Sequence, residues 1–343
     1  MSKYIIWNNK GGVGKSLLSF ILSTEYALKN PDKNIVVLDL CPQGNVSQIL
    51  LGGTQKGSTK FFDLMERKKT VMGYFLDRAR SPYQKSGTET DFLLRTSDCS
   101  EEMPENLYLV AGDTKLDLIS QSLDLFSNNN AIPGLNTWKA TYSWLIDLQE
   151  AIKLRLGDNT VFFIDTNPSF SSYTKLGILS ADRLIVPCFS DVGSLYALNN
   201  IMYLLYDINE SGIDIGGVSF AKTAKNNGMF IPLIFMTLIG KSTIYKKDSA
   251  IAFSNLESKI KTNLDNLKSK YNGKIFMRSA FDMIQHIHDM HSVAPYVNLT
   301  GKIVTKLKQT HKTGIFSEDG REMQIGSHIE AYKDKIQDVV GLL

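Results

Sequence analysis

The sequence predicts a doubly wound α/β fold, with a mainly parallel sheet and helices on both faces. Three observations carry that expectation. Apolar runs of strand length alternate with amphipathic helical runs from residue 3 to about residue 240. A tight glycine loop joins the first such pair. No Pro/Gly/Ser-rich tract divides the 343 residues and no internal repeat is visible, so residues 1–343 read as one domain. Residues 52–106 are expected to be an insertion, and residues 241–343 a basic, helical extension.

Tyr4, Ile5, Ile6 and Trp7 form a short apolar run, read as a buried strand. Asn8 to Gly14 make the glycine loop. From Ser16 onward Leu17, Phe20, Ile21, Leu22, Ala27 and Leu28 recur at helical spacing. Strand, glycine loop and helix are the setting a phosphate loop requires. Gly11, Gly12 and Gly14 carry no Cβ, so backbone N–H groups can turn toward phosphate oxygens. A helix start after Lys15 adds its positive end. Lys15 can reach the outer phosphates of a nucleotide, and the Ser16 hydroxyl can ligate Mg²⁺.

Residues 35–40, IVVLDL, read as a second buried strand that carries Asp39 and is followed by Cys41-Pro42-Gln43-Gly44-Asn45. Residues 52–106 hold a helix-like piece from Phe61 to Phe75. A polar stretch, Ser81 to Glu105, follows and is read as surface loop, partly mobile. Asn106 to Ala111 is a strand, followed by a helix. Trp138 to Leu156 reads as one amphipathic helix with Tyr142, Leu145, Ile146, Ile152 and Leu156 on one side. Thr160 to Asp165 is a buried strand ending in a carboxylate, placed where ligands bind in open α/β sheets. Ala181 to Pro187 is another strand, with a helix from Ser194 to Asn209. Ile215 to Phe220 and Pro232 to Ile239 are further candidate strands.

The loop KGGVGKS resembles the deviant Walker A motif of the ParA/MinD family of P-loop ATPases, and within it the ParA-type partition ATPases most. That resemblance implies a P-loop three-layer sandwich that binds ATP and Mg²⁺. It places the nucleotide on Lys10, Gly11, Gly12, Val13, Gly14, Lys15, Ser16 and Leu17. In the family the extra lysine, here Lys10, reaches a partner subunit's phosphates across a homodimer. The run Asp39-Leu40-Cys41-Pro42-Gln43-Gly44-Asn45 is similar to the family's D-x-D-P-Q-G-N. Cys41 stands where the family has the aspartate that positions the attacking water, so slow hydrolysis is expected. Asp165-Thr166-Asn167-Pro168-Ser169 is similar to D-x-P-P-S, with Asn167 in place of the first proline. The resemblance implies that Ser16, Asp39 and, through water, Asp165 serve the metal, and that Lys10, Lys15, Asp39 and the Cys41 position serve catalysis. No base-recognising asparagine is recognisable.

The net charge of +3 hides an asymmetry. Between residues 222 and 278 lie Lys222, Lys225, Lys241, Lys246, Lys247, Lys259, Lys261, Lys268, Lys270, Lys274 and Arg278, against Asp248, Glu257 and Asp265. Such segregation is a footprint for a polyanion. Relatives use this half of the chain to bind double-stranded DNA without sequence preference, and they answer to a ParB-like or cargo adaptor. All of these basic residues except Lys241 are taken as DNA contacts. A solvated lysine face that binds nothing stays open. Two rival functions also stay open: a nucleotide-dependent switch that hardly hydrolyses, and a MinD-like membrane-surface ATPase. The helix from His328 to Leu343 has a net-acidic polar face, which disfavours lipid, so no membrane partner is expected.

Three cysteines without framework spacing, and an opening that enters its first strand without a leader, point to a cytoplasmic chain; the resemblance implies that it is nucleoid-associated. The longest apolar run, from Met229, is far short of the roughly 20 residues of a membrane span. His286, His288 and His291 are read as packing or surface residues rather than metal ligands.

Overall fold

The computed structural model describes residues 2–129, 131–208, 219–241, 247–278, 282–288, 293–309, 312–316, 322–325 and 329–343. The chain runs β1 (Lys3–Ile6), α1 (Lys15–Lys29), β2 (Asn34–Leu40), α2 (Asn45–Leu50), α3 (Gly53–Glu66), α4 (Val71–Arg80), β3 (Leu94–Arg95) and β4 (Leu107–Val110). Then come α5 (Leu116–Ser127), α6 (Thr137–Tyr142), α7 (Trp144–Leu156), β5 (Thr160–Thr166), α8 (Ser172–Leu179), β6 (Arg183–Phe189), α9 (Val192–Tyr206), α10 (Phe220–Asn226) and β7 (Leu233–Lys241). The last elements are α11 (Lys247–Tyr271), β8 (Ile284–His288), α12 (Val293–Thr300), β9 (Lys312–Phe316), β10 (Glu322–Gln324) and α13 (Ile329–Gly341).

Eight strands form one sheet in the order β3-β4-β2-β5-β1-β6-β7-β8, parallel throughout except for β3. The sheet is buried on both faces, as continuous apolar strands require. Tyr4, Ile6, Ile35, Val37, Val161 and Phe163 pack beneath α1, α2, α3, α12 and α13. Ile5, Trp7, Val36, Leu38, Phe162 and Ile164 pack under α4–α9 and α11. Three layers follow directly from this alternation.

Several expectations change. Residues 52–106 carry α3, α4 and the antiparallel edge strand β3, and they bury Phe61, Val71, Tyr74, Phe75 and Phe92; the polar stretch from Ser81 to Glu105, expected to be surface loop, holds β3 and the buried Phe92. The piece from Phe61 to Phe75 is the end of one helix and the start of another. Thr70 separates them, because its hydroxyl oxygen caps α4 by accepting the Gly73 N–H at 3.2 Å. The single helix expected from Trp138 to Leu156 divides at Ser143, whose hydroxyl bonds the Lys139 carbonyl at 2.7 Å and competes with the helical ladder. The helix expected from Ser194 begins earlier, at Val192, where Asp191 caps it by accepting the Ser194 N–H at 2.7 Å. Residues 215–218 of the run Ile215 to Phe220 lie outside the described residues, and Phe220 opens α10. The extension from residue 241 is not only helical: it supplies β8 to the main sheet and the β9–β10 hairpin. His286 and His288 sit on β8 rather than on a helix.

The C-terminal helix docks on its own core. Ile329, Ile336, Val339 and Val340 of α13 are buried against the α1 face. Glu25 of α1, itself buried, accepts from the Thr305 N–H at 2.9 Å, the Thr305 hydroxyl at 2.7 Å and Gln337 at 3.2 Å. No helix among the described residues is long and apolar enough to cross a membrane.

The end of α12 meets the α2–α3 corner backbone to backbone. Gly53 has φ +75°, and a Cβ there would lie 2.3 Å from the Leu299 carbonyl oxygen. Gly53→Ala should therefore lower stability by about 2 kcal/mol or more, because backbone on both sides must move. Urea unfolding would read this as a lower midpoint at unchanged slope; an unchanged midpoint would show that the corner is loose.

Candidate functional site

The site begins with parity on two strands. Along β2, Ile35 and Val37 face α1, so Asp39 faces α1 as well. Along β5, Val161 and Phe163 do the same, and so does Asp165. The two strands pair in register with Asp39 opposite Asp165. Two wholly buried carboxylates thus lie side by side beneath the start of α1.

Each carboxylate is held by the helix above it. Asp39 accepts the Cys41 N–H at 2.9 Å, the Ser47 N–H at 3.2 Å and the Ser47 hydroxyl at 2.5 Å. Asp165 accepts the Ser19 hydroxyl at 2.7 Å through Oδ1. Burial raises the Asp39 pKa, and the neighbouring Asp165 charge raises it further; the bonds from Ser47 and Cys41 oppose this. Burial also raises Asp165, against the pull of the Ser16 and Ser19 hydroxyls and of Lys15.

The glycine loop covers the pair. It leaves β1 between β5 and β6, so it stands at the centre of the sheet's C-terminal edge. Gly12 and Gly14 have φ of +74° and +76°, a region that L side chains rarely adopt. Asn8 anchors the entry: its Nδ2 donates to the Pro187 carbonyl at 2.7 Å, and its Oδ1 accepts the Lys10 N–H at 2.9 Å. Lys15 spans the loop and donates to the Lys10 carbonyl at 2.9 Å. Burial lowers its pKa, while Asp165 and Cys41 pull it upward. Gly11 to Leu17 line a cleft of about 500 Å³ with Cys41, Asn45, Thr166, Asn167 and, from α12, Asn298.

Cys41 is buried at the rim of this cleft, and its thiol is pushed up to about 12. Burial is the main cause, followed by the charges of Asp39 and Asp165. The group is a neutral thiol at any ordinary pH. Lys10 does not line the cleft. Its ammonium pairs with Asp191 at the start of α9 and bonds the Ser194 hydroxyl at 3.3 Å.

The donor set suits a hard divalent cation. Asp165 Oδ2 is buried and accepts no hydrogen bond within the described residues. Oxygen donors from Asp39, Asp165 and Ser16 are the kind Mg²⁺ takes. Among the described residues there is no cluster of three or more His, Cys, Asp or Glu that could hold a metal by themselves, so a cation here would also draw on the Ser16 hydroxyl, water or phosphate oxygens.

The basic residues divide. On α11, Ile260, Leu264 and Leu267 are buried, while Lys259, Lys261 and Lys270 are exposed and Lys268 partly so. Lys259 and Lys270 end a polar stripe through Thr262, Asn263 and Asn266, along a groove of about 460 Å³. Lys225, Lys274 and Arg278 are exposed. Lys222 is paired with Asp207 at 3.0 Å. Lys246 lies outside the described residues, and Lys247 is described only as the start of α11.

Sequence reading missed Asn8, Ser19, Ser47, Gly112 and Asp191. Ser19 and Ser47 could have been found by asking which helical hydroxyls face the two acids. Gly112 follows β4, where a Cβ would lie 2.8 Å from the Asp39 carboxylate. Asp191 carries no signal that ties it to Lys10.

The profile of a family described as an AAA domain matches residues 1–214. An uncharacterised protein of Methanocaldococcus jannaschii is 24% identical over 226 residues, 65% of this chain and 73% of that one. Among solved structures, the ATP complex of a Cyanothece McdA variant superposes with a TM-score of 0.58 at 14% identity, covering 100% of this chain and 96% of that one. The pNOB8 ParA gives 0.55 at 14% identity over 99% and 96% of the two chains. A Corynebacterium diphtheriae protein, DIP2308, gives 0.54 at 20% identity over 87% and 95%.

The carboxylate pair yields a pH test. Asp39 has a folded pKa above its unfolded value of about 3.9. Its contribution to stability is therefore complete below that value and lost as pH rises through the elevated one. Asp39→Asn removes the titration. Without ligands, the stability of the wild type relative to Asp39→Asn should fall between pH 5 and pH 8 by about 1 kcal/mol or more, the worth of one pKa unit. Urea unfolding of both proteins at the two pH values measures it; a constant difference would mean that Asp39 is ionised throughout.

Proposed function

Because the chain belongs to the ParA/MinD-like AAA-domain family of P-loop ATPases, we propose that it is a partition ATPase. It closes as a homodimer over ATP, binds double-stranded DNA without sequence preference, and is released by a ParB-like or cargo adaptor. The observation that carries this reading is the convergence, at one sheet edge, of a lysine-bearing glycine loop and two adjacent buried carboxylates. Lines of support for the DNA step are the exposed lysines of α11 and the fold shared with pNOB8 ParA, which has also been solved bound to nonspecific DNA (TM-score 0.53, 14% identity). A cytoplasmic, nucleoid-associated site of action follows from that step.

The residues divide the work. Backbone N–H groups of the loop and the N-terminus of α1 receive the phosphates. The Lys15 ammonium exchanges its bond to the Lys10 carbonyl for the outer phosphates. Asp39, Ser16 and, through water, Asp165 would hold Mg²⁺, which when bound supplies neutralising charge at the terminal phosphates. Lys10 leaves Asp191 to reach the partner's nucleotide.

A second reading concerns rate, and Cys41 favours it. A thiol that stays protonated cannot serve as a general base, and it is a weak hydrogen-bonding group. Hydrolysis is therefore slow and the ATP-bound dimer long-lived. Cys41→Asp should accelerate single-turnover hydrolysis at least about tenfold, a modest part of the range for general-base catalysis. An unchanged rate would assign the attacking water to another group.

DNA binding should require ATP and weaken with salt, at a slope of about −0.9 per phosphate neutralised. Charge reversal of Lys259, Lys261, Lys268 and Lys270 to Glu should abolish retention of duplex DNA and leave ATP affinity intact. Retention that survives all four changes would make α11 an ordinary solvated face.

A further inference from the structure

Asn167 lies two residues past Asp165 and lines the phosphate cleft next to Thr166. Its side chain is held on three sides. Oδ1 accepts the Ser169 and Thr174 hydroxyls, each at 3.0 Å, and Nδ2 donates to the Tyr173 hydroxyl at 2.6 Å. Tyr173 in turn donates to Asp117 Oδ1 of α5 at 2.7 Å.

This chain of bonds fixes which way the amide points. Serine and threonine hydroxyls can donate or accept, so Ser169 and Thr174 would tolerate either orientation. Tyr173 does not. It has one hydroxyl proton, and that proton is committed to Asp117, a carboxylate that only accepts. The tyrosine oxygen must therefore act as acceptor toward Asn167, and the amide nitrogen must face it. That nitrogen has a second proton, which no acceptor takes among the described residues. The cleft it borders is built for an anion, with Lys15 and the glycine-loop backbone on its walls.

We propose that the second Asn167 N–H donates to the terminal phosphate of the bound nucleotide, with Tyr173 and Asp117 as positioning residues that keep the amide in its donor orientation. This rests on the ATP-binding reading above. It does not carry over from the relatives: the similar family motif has proline at this position, which offers no side-chain donor. The N–H would distinguish a triphosphate from a diphosphate, whose terminal group lies one phosphate deeper in the loop.

The test is calorimetric titration of the wild type, Asn167→Leu and Tyr173→Phe with ADP and with a non-hydrolysable ATP analogue, both with Mg²⁺. Asn167→Leu keeps the side-chain volume and removes the donor. It should weaken the ATP analogue about tenfold, the low end for a hydrogen bond to a charged acceptor, and change ADP less than about twofold. Tyr173→Phe removes only a hydroxyl and releases the amide to turn. It should lower the preference for the triphosphate in the same direction and by less. Equal losses for both nucleotides would make Asn167 a structural residue and overturn the proposal, as would unchanged affinities in both variants. A wild type that binds neither nucleotide would overturn the phosphate-loop reading itself.

Discussion

Two carboxylates sharing one dry position on neighbouring parallel strands are the constraint around which this molecule is arranged. Like charges side by side in a buried site oppose folding unless protons or cations offset them. The protein meets the constraint locally. α1 lends Ser19 to one acid, α2 lends Ser47 to the other, and glycine follows β4 because no side chain fits beside Asp39. What remains unmet among the described residues of this pair is one oxygen of Asp165. A cation bound as proposed above would satisfy that oxygen and offset the two charges, so its binding would stabilise the fold.

Much of this was legible before any coordinates. IVVLD and VFFID read as buried strands that each end in an acid, and the glycine loop between a strand and a helix reads as a phosphate site. What the sequence could not reveal depends on contacts distant along the chain. The pairing of β2 with β5, rather than with another strand, is a tertiary choice. So is the capture of Lys10 by Asp191. The stretch from Ser81 to Glu105 looked like loop because its one strand, β3, is two residues long; Phe61 to Phe75 looked like one helical piece because its buried positions, Phe61, Tyr74 and Phe75, are spread over two short helices with a break at Thr70 between them. Neither helix is long enough for its period to stand out. Ser143 divides α6 from α7 by a local hydroxyl bond that helical periodicity does not register.

The final third of the chain is structural as much as electrostatic. β8 extends the sheet, and α12 brings Asn298 to the rim of the cleft. α13 closes over α1 through its apolar face and through Gln337, which reaches Glu25. The helix that begins at the phosphate loop is thus gripped at its far end by the C-terminal segments. The same third presents the lysines of α11 on the opposite side of the sheet. The proposed nucleotide and polyanion surfaces are therefore carried by different layers, joined through the strands between them.

The position of β1 has a consequence for how the molecule comes into being. It precedes the other strands of the sheet in the sequence, yet it sits in the middle, between β5 and β6. On a ribosome it emerges with neither neighbour present, and its apolar residues wait for nearly half of the chain before either edge is covered. Every productive order of assembly must close that long loop, and contacts of such sequence separation make folding slow. Until then an unpaired, mostly apolar strand is open to other chains. The centrality that gives the glycine loop its place at the heart of the sheet makes the nascent chain a natural client for chaperones during synthesis.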